Sequence, residues 1–243
     1  MKKTLSITIL LAMLCALLSG CGAQSEPEGE GISVVATVFA PYDFARQLVG
    51  ERGEVTLLLP PGSEAHSYEP SPKDIIEIQN CDLFIYVGGV SDAWVSDVLE
   101  SVGGEVRTVT LMDCVELLEE EHVEGMEVDE DEHEGEIEYD EHVWTSPRNA
   151  ELICEKIAAA LCEVDPEGAE EYGTALESYC AQLDELDAAF TEVVENGVRD
   201  TVVFGDRFPL LYFAKAYGLN YYAAWPGCAD EAEPSAATVT FLI

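Results

Sequence analysis

The sequence predicts an α/β protein, built as two parallel-sheet α/β lobes joined by a long helix, and three observations carry that prediction. Short β-branched apolar runs alternate with stretches of helical periodicity over residues 32–111. A long helical stretch then occupies residues 146–196, and strand–helix alternation resumes near Asp200. Parallel neighbours need a crossover between them, and helices that serve as crossovers cover the faces of the sheet.

Each element follows from its local signal. Residues 32–39, ISVVATVF, form an apolar β-branched run and so a buried strand. PYDFARQLVG (41–50) has helical spacing and a glycine stop at Gly50, and EVTLLLP (54–60) is the second strand. SPKDIIEIQN (71–80) opens with serine as N-cap and proline at the first helical position. CDLFIYVG (81–88) is a third strand, 93–102 a short helix, and EVRTVTL (105–111) a fourth strand. Residues 116–141 are dominated by Glu and Asp, with His122 and His133 among them. Self-repulsion disfavours packing there, and the expectation is a mobile acidic loop.

Helical spacing returns at SPRNAELICEKIAAALCEV (146–164) and continues over about 166–196, too long for an ordinary crossover. Residues 146–198 therefore read as a helical connector between an N-terminal lobe (32–145) and the start of a C-terminal lobe (199–243). That second lobe holds a strand (200–206), a helix (208–218), a strand (219–225) and a helix start in EAEPSAATVTFLI. A partner matching the first lobe needs roughly sixty more residues, so the expectation is an incomplete second lobe, truncated at its C-terminal end.

The amino terminus reads as an address. Lys2 and Lys3 precede an apolar run (5–18) that is short for a bilayer span. LLSGC (17–21) resembles a bacterial lipobox, which implies a signal peptide over 1–20, lipidation at Cys21 and a polar tether over 21–31. The expected location is the outer face of the cell membrane, anchored by that lipid. The formal net charge is −38, and loss of Lys2 and Lys3 takes the mature protein to about −40. Such a surface repels nucleic acid and anionic head groups and attracts cations. Cys81, Cys114, Cys154, Cys162, Cys180 and Cys228 show no CxxC spacing and read as mostly free, buried thiols.

Two histidines share one setting: a carboxylate, the histidine, an aromatic residue, then Ser-Pro. They are His66 in GSEAHSYEPSPKD and His142 in DEHVWTSPRNA. His66 follows a strand, at the edge where open α/β sheets bind ligands. Imidazole suits borderline divalent metals, so a metal site is one reading. A polar surface or helix-flanking role for each histidine is the other. No HExxH or comparable motif accompanies them, which argues against a metallohydrolase.

GSEAHSYEPSPKD and DEHVWTSPRNA closely resemble the two metal-binding segments of the zinc/manganese substrate-binding proteins of bacterial ABC importers, the ZnuA-like family. YFAKAYGL and EAEPSAATV resemble landmarks of that family's second lobe. The resemblance implies a metal ion held between two lobes, with His66 and His142 as ligands and no catalysis. It implies a monomeric receptor that captures Zn²⁺ and delivers it to a membrane permease. Mn²⁺ capture, or a metal-dependent adhesin or structural metal-binding role, is the alternative.

An ungapped comparison puts Arg207, a cation, at the family's third-ligand position. Asp206 is the neighbouring group able to coordinate, and it is the third candidate ligand; a structural ion pair with Arg207 is the competing reading. Glu233 reads as a capping or hinge group. His-containing charged loops precede the second ligand in zinc-importing members, which makes His122 and His133 accessory metal candidates; a solvated loop with no role is the alternative.

Overall fold

The computed structural model describes residues 31–103, 106–127, 138–229 and 233–243. Residues 1–30, on which the expected signal peptide, Cys21 and all but the last residue of the expected tether fall, lie outside them, as do residues 128–137 with His133.

The first sheet is formed by β1 (Ile32–Ala36), β2 (Gly53–Leu57), β3 (Leu83–Tyr86) and β4 (Arg107–Thr110), all parallel, in the order β2-β1-β3-β4. Side-chain alternation divides its strands between two cores. Val34, Leu83 and Ile85 face one side, where they meet α1 (Phe39–Val49) and α4 (Pro147–Val164). Val35 and Phe84 face the other, against α2 (Pro72–Asn80) and α3 (Trp94–Val102). Each fully buried Val, Leu or Phe contributes about 1.5–3 kcal/mol. The first turn of α2 is a capping box: Asp74 N–H donates to Ser71 Oγ, and Ser71 N–H donates to Asp74.

The sequence groups α4 with the following helix as a connector. The structure packs α4 into the first lobe, because Ala150, Ile153, Cys154, Ile157 and Leu161 form a wholly apolar stripe that closes over the sheet. The spanning element is α5 (Ala169–Glu195). Near its start Tyr172 is buried in the first core and donates to Asp165, which also binds Arg52. Near its end Phe190 meets Phe213 edge to face at 4.9 Å, and Asp187 accepts from Tyr217 O–H. Those two partners belong to α6 (Leu211–Tyr217), which lies between β5 (Thr201–Arg207) and β6 (Asn220–Trp225). The last two strands pair in parallel as a second sheet, and α7 (Ala236–Leu242) follows. Ser235 caps α7, so Glu233, exposed two residues earlier, does not.

The acidic segment departs from expectation over its described residues, 116–127 and 138–141; residues 128–137 lie outside them. Its described residues pack against the second lobe: Leu118, Val123 and Met126 cover Phe208, Leu211, Ala214 and Tyr221. Apolar residues spaced among the carboxylates supply the buried face, and the carboxylates find donors. Glu120 accepts from Cys228 N–H, Glu121 from Tyr221 O–H, and Glu127 from Ser235 N–H and Thr238 O–H. Local hydrogen bonds and Lys215, 2.6 Å from Glu121, offset the repulsion that the composition suggests.

The six cysteines from Cys81 to Cys228 are free; Cys81 and Cys154 are buried and the other four half-buried. Among the described residues no helix is long and apolar enough to cross a membrane.

Candidate metal centre

Three loops leave the carboxyl-terminal edge of the first sheet and converge. The loop after β2 carries His66, the loop after β3 carries Ser91 and Asp92, and the long segment after β4 ends in Glu141 and His142. This edge is where open parallel sheets present ligand sites. The two imidazoles meet with ring centroids 5.5 Å apart, although 76 positions separate them in sequence. They stand on one side of a cavity of about 580 Å³ whose apolar wall includes Phe39, Phe44, Trp144 and Leu183.

Each ring is held by its Nδ1. His66 Nδ1 lies 2.7 Å from Ser91 Oγ, and His142 Nδ1 lies 3.2 Å from a carboxylate oxygen of Asp140. A donated Nδ1–H leaves the lone pair on Nε2, the tautomer a metal requires. The same Asp140 oxygen accepts the backbone N–H of His142 at 2.7 Å. Asp140 is in turn positioned from the second lobe: Tyr212 O–H donates to its carbonyl and accepts from Leu118 N–H.

Burial, followed by the charge of His142, holds His66 below the usual imidazole range, so His66 stays neutral. Asp92 accepts from the N–H groups of Val87 and Gly88, but burial pushes its carboxyl up to about 6. The bend it supports continues into Gly89 at φ +76°, where a Cβ would collide with the Glu141 carboxylate. Glu141 itself is buried and accepts from Ser91 N–H at 3.1 Å.

The structure therefore brings together His66 and His142, the two histidines singled out in the sequence. It does not bring Asp206 to them. Asp206 is exposed on β5, and its carboxylate accepts the backbone N–H of Arg207. The ion pair of Arg207 is with Glu64 at 2.9 Å, two residues before His66, rather than with Asp206. The physical reason is an irregularity in β5: its pairing with β6 shifts between Phe204 and Arg207, Gly205 and Asp206 are exposed in succession, and Arg207 rather than Asp206 turns toward the first lobe. The exposed His122 lies on the acidic segment.

Two groups escaped the sequence reading. Glu141, Cys228 and His66 each offer a donor atom, and the three atoms lie within 4.8 Å of one another. Glu141 was adjacent to a candidate, but its charge was lost among its acidic neighbours. Cys228 follows the end of β6, 162 positions beyond His66, with no paired cysteine to mark it. Burial and the carboxylates of Glu120 and Glu141 push its thiol up. A glycine preceding it, Gly227, is the local signal: a Cβ there would sit 2.9 Å from Asp140 Oδ2 and 3.3 Å from His142 Nδ1.

His66, Glu141 and Cys228 bring an imidazole, a carboxylate and a thiol together, with the His142 ring 5.5 Å from that of His66, and these donor types suit a borderline divalent cation. Residues 34–243 match the family model described as zinc-uptake complex component A, periplasmic. The zinc-binding lipoprotein AdcA of Streptococcus pneumoniae is 33% identical over 244 residues, covering 100% of this chain and 48% of the relative. The high-affinity zinc uptake system protein ZnuA of Bacillus subtilis is 32% identical over 256 residues, covering 100% of this chain and 77% of the relative. The protein thus spans about half the length of AdcA. Among solved structures, the Zn(II)-bound ZnuA-like domain of AdcA matches with TM-score 0.70 at 30% identity, over 87% of this chain and 73% of that one. The metal-dependent lipoprotein YcdH of Bacillus subtilis matches with TM-score 0.71 at 30% identity, over 87% of this chain and 73% of that one.

Proposed function

The chain belongs to the zinc-uptake complex component A family, and on that premise we propose that it is an extracytoplasmic receptor that captures Zn²⁺ and hands it to an ABC importer. His66 and His142 bind the ion through Nε2. The observation that carries this reading is the pairing of the two rings 5.5 Å apart with both Nδ1 atoms already engaged. Zinc is the cargo, and no bond of the cargo is made or broken by catalysis. The names of the relatives, and the Zn(II)-bound state of the similar AdcA domain, support the choice of metal.

Capture follows from charge and burial. The acidic surface raises the local concentration of cations. At the site the ion exchanges water for neutral imidazoles, and His66, kept neutral by burial, needs no proton removed at physiological pH. In this reading residues 32–145 supply both histidines and residues 199–243 belong to the facing lobe. Release is the reverse: separation of the lobes on docking to a permease opens the shell to water. Cys21 carries the lipid that keeps the receptor at the membrane, a reading supported by LLSGC and by the lipoprotein names of relatives.

Equilibrium dialysis tests the proposal. One equivalent of Zn²⁺ bound reversibly, and removed by a chelator without unfolding, is the expected result. Absence of saturable zinc binding in the folded protein would count against it.

A further inference from the structure

Building on the zinc-receptor reading, we propose that the Cys228 thiolate is the second lobe's ligand to the captured ion, joining His66, His142 and Glu141. Donor atoms of His66, Glu141 and Cys228 lie within 4.8 Å of one another. Donors at about 2.0–2.3 Å from tetrahedral zinc stand roughly 3.3–3.8 Å apart, a contraction that small rotations of three side chains supply. His142 enters through its ring, 5.5 Å centroid to centroid from that of His66, while its Nδ1 side, held by Asp140, packs against the turn at Gly227.

The turn that bears Cys228 is held from two directions. Cys228 N–H donates to Glu120 Oε1 at 2.8 Å, and Arg207 donates to the carbonyl of Ala229 at 3.2 Å. The same guanidinium pairs with Glu64 in the His66 loop. Arg207 is a cation and cannot ligate, yet it ties the His66 loop to the residue following Cys228. Its place at the end of β5 thus becomes a clamp, and coordination passes to the thiol in the turn after β6. Arg207 is a positioning residue in this account.

The donor set has consequences. A thiolate and a carboxylate balance the two charges of the ion, and the thiol proton leaves to solvent as the ion binds. Thiolate is a soft donor, so the set favours Zn²⁺ over Mn²⁺, which prefers oxygen. Because Cys228 comes from the second lobe, binding draws the lobes together, and their separation removes one ligand outright.

The test uses the full-length protein loaded with Co²⁺ as a spectroscopic stand-in for zinc. The wild type is expected to show tetrahedral visible bands and a sulfur-to-cobalt charge-transfer band. In Cys228→Ser the charge-transfer band disappears and zinc affinity falls by at least about 100-fold, more than loss of an outer hydrogen-bond partner costs. Cys180→Ser, on α5, keeps both. Alkylation read by mass spectrometry covers a Cys228→Ser protein that fails to fold: zinc should protect Cys228 in the wild type and leave Cys162 and Cys180 unchanged. Cobalt binding without a charge-transfer band, or alkylation of Cys228 indifferent to zinc, would overturn the thiolate and leave the receptor reading standing. A wild type that binds neither metal would overturn both.

Discussion

Replacing Asp140 with asparagine isolates the contribution of one charge to metal affinity. Asp140 is 1% exposed, and a single carboxylate oxygen accepts both the backbone N–H and the ring Nδ1 of His142. Asparagine keeps the shape and one acceptor oxygen but loses the negative charge that makes Nε2 a stronger donor. The backbone should stay in place, because Tyr212 holds the Asp140 carbonyl regardless of the side chain. Removing such a partner from a ligating histidine typically costs 10–100-fold in affinity, which is about 1.4–2.7 kcal/mol. Asp140→Asn should therefore weaken zinc binding by that factor in competition with a chromophoric chelator, with the far-ultraviolet circular dichroism unchanged. A change of less than about threefold, below the range for such partners, in a folded variant would refute the reasoning that Asp140 fixes and polarises His142.

Asp92 makes a prediction about pH. Its folded carboxyl titrates at about 6 against an ordinary 3.8, so the folded state binds the proton more tightly than the unfolded one. Its burial is a destabilising influence fully present above pH 6 and relieved as pH falls toward 3.8, worth at most about 3 kcal/mol. Asp92→Asn should raise the melting temperature of the metal-free protein at neutral pH and flatten its slope between those two pH values; an unaltered slope would dismiss Asp92 as its source. Asp206→Asn should leave zinc affinity within about twofold, since exposed polar pairs contribute about 0–1 kcal/mol, and a large loss in a chelator titration would return Asp206 to the ligand set. Cys21→Ser should move the protein from the membrane fraction to the soluble fraction on cell fractionation, and membrane retention of the processed variant would argue against the lipid anchor.

The order of strands and helices was legible because each element carries a local signal: a β-branched run for β1, a continuous apolar and aromatic run for β3, Ser-Pro starts for α2 and α4, and Gly50 and Gly218 as stops. The two histidines were legible because their flanking residues repeat. Three features were not, and each depends on tertiary contact. The side of β5 that faces the first lobe selects Arg207 over Asp206, and a one-residue choice on a strand cannot be settled by pattern alone. Cys228 joins the cluster only through the packing of Gly227 on the His142 loop. The acidic segment reads as self-repelling until its scattered Leu118, Val123 and Met126 are given a surface to cover.

The most direct test of the account is the zinc affinity of His66→Ala, His142→Ala and the double variant, measured by chelator competition on protein shown to be folded. Two ligands of one ion act as a unit, so each single change should abolish most of the affinity and the double change should add little. Wild-type affinity in either single variant would contradict the claim that the paired imidazoles hold the metal.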